Sequence, residues 1–162
     1  RDGEEVKLTD EAIVNVKKAR AYIERKLAEK AVIYGLTTGF GKFSNVMISS
    51  EETEELQRNL IMSHTCAMGP AYPARDVRAA MLLRCNALAR GNSGIRLETL
   101  QTLIDMLNAG VHPVIPQKGS LGASGDLAPL SHIALALIGE GRSAAWFPAR
   151  RTPRAASALR RP

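Results

Sequence analysis

Apolar residues recur at helical spacing through most of the chain, and the segments they define have recognisable ends. Thr9 can cap a helix whose first turn carries Asp10 and Glu11, with Ile13, Val16, Ile23 and Leu27 forming an approximate stripe that should stop near Lys30. Ser49 and Glu52 fit a capping box that opens a second helix, in which Leu56, Leu60 and His64 follow an i, i+4, i+8 spacing. Pro73 occupies a first-turn position before Val77, Met81, Cys85 and Leu88, one face of a third helix that Gly91 stops. Leu97, Leu100, Ile104 and Leu107 mark a fourth helix ended by Gly110. A fifth runs from about Asp126 to near Gly139 and tolerates Pro129 because that residue falls in its first turn. No alternating pattern of useful strand length occurs, so the predicted fold is mainly α.

Length permits one domain: 162 residues can bury a core of ordinary size. Charge divides the chain unevenly. Residues 142–162 hold six arginines, no lysine and no acid, among repeated alanine and proline. Removing those six from the 22 basic residues leaves 16 against 16 acidic ones, so residues 1–141 are formally neutral and the net +6 belongs to the tail. Such a tail could meet nucleic acid or acidic lipid. It carries only the Trp146-Phe147 pair, with no interleaved aromatics and no reader fold, so neither partner is expected. The expectation is a disordered, non-native ending after Gly141.

The densest chemistry lies at Gly119 to Gly125, which reads Gly-Ser-Leu-Gly-Ala-Ser-Gly and runs into Asp126 and an apolar helical stretch. Without a Cβ, Gly125 can fold its amide nitrogen back onto the carbonyl carbon of Ala123, a turn that crowds a bulkier residue. Loss of water from that ring, and of the Ser124 hydroxyl as a second water, leaves 4-methylidene-imidazole-5-one (MIO), an electron-poor alkene. Asp126 is placed to cap the following helix, whose positive end then faces the ring. Three plainer readings compete. A phosphate cradle needs G-x-G-x-x-G or a G-K-[ST] ending, and neither is present. A nucleophile elbow needs G-x-S-x-G, and Gly122 to Asp126 misses it at the last position. A simple connector is what Ala-Ser-Gly in isolation would usually be.

Four blocks decide between these readings: Tyr34-Gly35-Leu36-Thr37-Thr38-Gly39-Phe40-Gly41-Lys42-Phe43, Asn59 to His64, Leu88 to Arg96 with Arg90-Gly91-Asn92-Ser93-Gly94 inside it, and Gly119 to Glu140. In content, order and spacing, residues 6–141 resemble the aromatic amino acid ammonia-lyase family, most closely its histidine-specific branch. That resemblance stops at Gly141. It implies the N-terminal part of the helical ammonia-lyase fold, incomplete and lacking the long central helical bundle, in a family whose members are roughly three times longer. The start at Arg1 agrees with missing N-terminal sequence as well.

The resemblance also implies a reaction. Ala123, Ser124 and Gly125 would form the MIO group with no external cofactor; the substrate amine would add to it and become a leaving group, and Tyr34 would remove a β-proton. A free phenol titrates at about pH 10, so such a base demands a depressed pKa, for which nearby positive helix ends offer one cause. The residues alone favour a half-buried aromatic for Tyr34 and a satisfied core histidine for His64. The family pattern instead makes His64 a contact to the substrate ring, and an imidazole that donates and accepts suits a polar ring. L-Histidine is therefore the expected substrate, with tyrosine- or phenylalanine-type lyases and aminomutases as the alternative. Homotetramers with composite active sites are the implied assembly, and this chain by itself is expected to be inactive. Asn92 departs from the pattern, which commonly has an aromatic before Ser-Gly.

The remaining candidates point to no further chemistry. His112 precedes Pro113 in an extended stretch and His132 lies in the last helix, both read as packing or surface residues. No histidine pair has metal-ligand spacing, and Cys66 and Cys85 lack a C-x-x-C arrangement, so no metal site is expected. With no apolar span or signal-peptide pattern in the sequence, the cytoplasm is the default expectation.

Overall fold

In the computed structural model the described residues are 4–34, 36–38 and 50–145. They form five helices and four short strands: α1 (Asp10–Ala28), α2 (Ser50–His64), β1 (Met68–Ala71), α3 (Ala74–Ala89), α4 (Leu97–Asn108), β2 (Val111–Pro113), β3 (Pro116–Lys118), α5 (Leu127–Leu137) and β4 (Ser143–Ala145). The Ser49 cap, the Gly39 to Ser44 part of the tyrosine loop and the tail from Trp146 lie outside the described residues.

The α3–α4 pair is the centre of the core. Val77, Met81, Cys85 and Leu88 are all buried along α3. Leu100, Leu103, Ile104 and Leu107 meet them from α4, together with Met106. Each such side chain removed from water contributes about 1.5–3 kcal/mol, so this seam dominates the local stability. Arg78 donates from Nη1 to the Leu107 carbonyl at 2.7 Å, placing a cation at the negative end of α4. Asn108 holds the N-terminal segment with two bonds, accepting from the Val6 amide at 2.8 Å and donating to its carbonyl at 2.9 Å.

α1 crosses this pair and buries only Val16 fully; Leu27, expected on the stripe, is exposed. Its ends match the sequence signals. Thr9 Oγ1 accepts from the Ala12 amide at 3.2 Å, and the helix gives way to a left-handed Lys30. The connector between α3 and α4 allows the close crossing: a Cβ on Gly91 would lie 2.6 Å from the Asn15 carbonyl carbon, and Gly91 has φ +74°. Glycine is required there on both counts.

Pattern reading missed the strands. β1 pairs antiparallel with β3, and β2 with β4, as two separate ribbons of three- and four-residue strands. Runs this short, with Pro70, Pro113 and Pro116 inside or at their ends, carry no alternation to detect. β4 lies within the segment expected as a tail: Val111, His112 and Pro113 face Ala145, Ala144 and Ser143 in register. Through β2, His112 is buried against the core. Among the described residues no helix is long and apolar enough to cross a membrane.

Candidate active site

The loop before α5 is positioned by the β1–β3 ribbon. Tyr72 donates its amide to the Ile115 carbonyl at 2.8 Å, and Gln117 donates from Nε2 to the Ala71 carbonyl at 2.9 Å. This ribbon joins the chain leaving α2 to the chain entering the loop. A Cβ on Gly119 would lie 3.4 Å from Ala67 Cα and 3.6 Å from the Cys66 carbonyl oxygen, so the turn just after His64 touches the loop's first residue. A second tie lies beyond the loop, where α2 packs on α5 and Arg58 Nε meets Glu140 Oε1 at 2.7 Å.

The loop itself is solvent-facing. Ala123 and Ser124 are exposed, and Gly125 takes φ +66°, a left-handed conformation that disfavours a side chain. Two hydroxyls organise it: Ser124 Oγ donates to Asp126 Oδ1 at 2.5 Å, and Ser120 Oγ donates to the Gly125 carbonyl. The Asp126 carboxylate was expected to cap α5, and here the structure differs. Its backbone is helical rather than extended (φ −101°, ψ −13°), and its side chain makes no capping bond. The Ser124 hydroxyl takes that oxygen instead. The Ser120 contact has no counterpart in the sequence reading; the only signal for it was a hydroxyl residue at the loop's entrance.

His64 ends α2 half-buried, not in the core. Its Nδ1 lies 2.8 Å from the Leu60 carbonyl oxygen and 3.1 Å from Ser63 Oγ. A carbonyl only accepts, so Nδ1 carries the proton, and Nε2 is the acceptor nitrogen of the neutral ring. Tyr34 lies on a separate turn after α1 and is 64% exposed. Thr37 Oγ1 pins that turn, accepting from the Ile33 amide at 2.8 Å and donating to the Ala31 carbonyl at 2.9 Å. The ribbon that joins the His64 segment to the loop does not include Tyr34.

Burial pushes the Cys85 thiol up to about 11, which keeps it protonated and unreactive. Burial lowers the imidazole of His112, with a further push from Arg78, and burial also lowers that of His132. Among the described residues no three His, Cys, Asp or Glu side chains are grouped to hold a metal ion. A surface groove between the N-terminal segment, α1 and α3, lined by Leu8, Asn15, Cys85 and Arg90 among others, shares no residue with the loop, α2 or the Tyr34 turn.

The chain has close relatives in sequence and in fold. The histidine ammonia-lyase of Alkaliphilus oremlandii (strain OhILAs) is 62% identical over 139 residues, covering 86% of this chain and 27% of that protein. Among solved structures, histidine ammonia-lyase from Trypanosoma cruzi superposes with a TM-score of 0.79 at 41% identity, over 90% of this chain and 27% of that one. The phenylalanine aminomutase of Pantoea agglomerans gives a TM-score of 0.78 at 40% identity, over 83% of this chain and 26% of that one. The chain thus spans about a quarter of the length of the proteins it matches. The sequence profile described as "Aromatic amino acid lyase" matches residues 1–161, past the Gly141 limit set by the quoted motifs and through the arginine-rich segment. Four motif blocks, a shared fold and a profile running nearly end to end agree, and the chain belongs to the aromatic amino acid lyase family.

Proposed function

We propose that this chain is the loop-bearing part of a histidine ammonia-lyase, which eliminates ammonia from L-histidine to give trans-urocanate. The observation that carries the reading is the Ala123-Ser124-Gly125 loop, exposed, left-handed at Gly125 and hydrogen-bonded from Ser124 to Asp126, in a chain 62% identical to a named histidine ammonia-lyase. The loop suits formation of MIO from its own backbone. Gly125 has only the Ser120 hydroxyl, 4.0 Å away, near the place of a Cβ, and the Ser124 hydroxyl that must leave already faces a carboxylate. Formed there, the ring supplies an electrophilic alkene for the substrate amine.

The chain's own residues then divide the work. Asp126 Oδ1 accepts the Ser124 Cα proton and passes it to Ser124 Oγ, which departs as water. His64, fixed by its Nδ1–H bond to Leu60, presents Nε2 as an acceptor for the N–H of an imidazole ring. Tyr34 takes the β-proton in this reading. Assembly as a homotetramer belongs to the same proposal. Leu121 within the loop, 93% exposed, and Leu127 just after it, 60% exposed, offer apolar surface for the rest of the protein to cover. These 162 residues alone are inactive in this reading.

In the full-length protein, urocanate should form from histidine and should be lost on Ser124→Ala. A second reading, an aminomutase or a lyase for tyrosine or phenylalanine, draws on the 40% identity to the phenylalanine aminomutase. Equal or faster turnover of tyrosine than histidine would replace the first reading with the second.

A further inference from the structure

We propose that Ser120 is a positioning residue for the backbone cyclisation, holding the loop in the shape from which the ring closes. The inference rests on the reading of residues 123–125 as the ring-forming segment. Ser120 stands at the loop's entrance and Gly125 supplies the nucleophilic nitrogen; the Ser120 hydroxyl donates to the Gly125 carbonyl and so encloses Ala123 and Ser124 within a closed turn. The bond uses the carbonyl side of Gly125 and leaves its amide alone: among the described residues the Gly125 N–H donates no hydrogen bond. Every residue of the loop except Gly125 is exposed, so burial does not fix its shape, and the conformational freedom to be removed before reaction is large. A hydroxyl clamp that removes part of it in advance raises the population of conformers in which the two reacting atoms approach.

The chemistry being positioned is two dehydrations without redox change. The Gly125 nitrogen bonds to the Ala123 carbonyl carbon and loses its proton; the former carbonyl oxygen leaves as water, taking that proton and the one on the Ser124 nitrogen, and a C=N bond forms. The Ser124 Cα–H proton and the Ser124 hydroxyl then leave as the second water, giving the exocyclic alkene. Ser120 touches none of these atoms. Its loss should slow ring formation and leave the chemistry of a formed ring unchanged.

The test follows newly synthesised full-length protein over time, reading by mass spectrometry the fraction of the Ser124 peptide that has lost two waters. Ser120→Ala and Ser120→Val should slow that loss about fivefold to tenfold, the range one net hydrogen bond supplies. Ser120→Thr keeps a hydroxyl and should restore the wild-type rate. Turnover per dehydrated site should be the same in all four proteins. A Leu107→Ala control, destabilised in the core, should dehydrate as fast as wild type once folded. Dehydration of Ser120→Ala and Ser120→Val at the wild-type rate would overturn the inference, as would an equal slowing in Ser120→Thr or in the Leu107→Ala control. An unmodified mass in the wild-type protein would instead remove the ring-forming reading on which it rests.

Discussion

Between Val77 and Leu107 the chain is held by apolar burial, with Met81, Leu100 and Leu107 fully shielded. Between Gly119 and Asp126 no large side chain is buried, and two serine hydroxyls set the backbone. The first region is specified by side-chain volume and spacing, and errors in it cost folding free energy. The second is specified by which residues lack a Cβ and where hydroxyls fall, and errors in it should cost chemistry while leaving the fold in place. On the proposed function, stability and reactivity fall to separate stretches, and α5, which follows the loop, packs on α4.

The largest expected effect breaks the loop alone. Ser124→Ala in the full-length protein should lower urocanate formation by roughly a thousandfold or more while changing unfolding free energy by less than about 0.5 kcal/mol, as for an exposed substitution. Enzyme assay and denaturant melts on the same preparation check both halves. Next come changes to the packed region. Leu107→Ala should cost about 3 kcal/mol through the cavity it leaves. Gly91→Ala should cost a comparable amount, about 2–4 kcal/mol, because the new methyl would meet the Asn15 backbone 2.6 Å away in a left-handed residue. A melt of Gly91→Ala within error of wild type would show that α1 does not cross as closely as described.

A smaller effect comes from pH. His112 is lowered from its ordinary 6.5 by burial and by Arg78, so the folded state favours the neutral ring more than the unfolded chain does. Its contribution is therefore complete above about pH 6.5 and is lost as pH falls below that value toward the folded-state titration. His132, lowered by burial, acts in the same direction. Melting temperature should fall between pH 7 and pH 5, and His112→Gln should flatten part of that slope; an unchanged slope would remove His112 from the account. Smallest is Thr9→Ala, which deletes the α1 cap and should cost about 1 kcal/mol in a denaturant melt.

Legibility in the sequence followed the same division. The α3 stripe and the buried α4 positions Leu100, Ile104 and Leu107 were readable because a helix repeats its buried face every three or four residues. The Thr9 cap was readable because it bonds three residues away. The strands were not, since β1 and β3 are joined across more than forty residues of intervening chain and each is too short to show a period. Around the loop, residue types pointed to the proposed chemistry, yet the hydrogen-bond partners did not follow from them. Asp126 had two possible uses, a helix cap or a bond to Ser124, and only the backbone angle at Asp126 decides between them. The link between His64 and the loop likewise arises from the β1–β3 pairing, a long-range contact that local spacing does not encode.

The central claim is that Ala123, Ser124 and Gly125 condense into an electrophilic ring, and the mass of the Ser124 peptide from the full-length native protein tests it most directly. That peptide should weigh two waters less than its sequence, with the deficit absent in Ser124→Ala. A native peptide carrying its full, unmodified mass would contradict it.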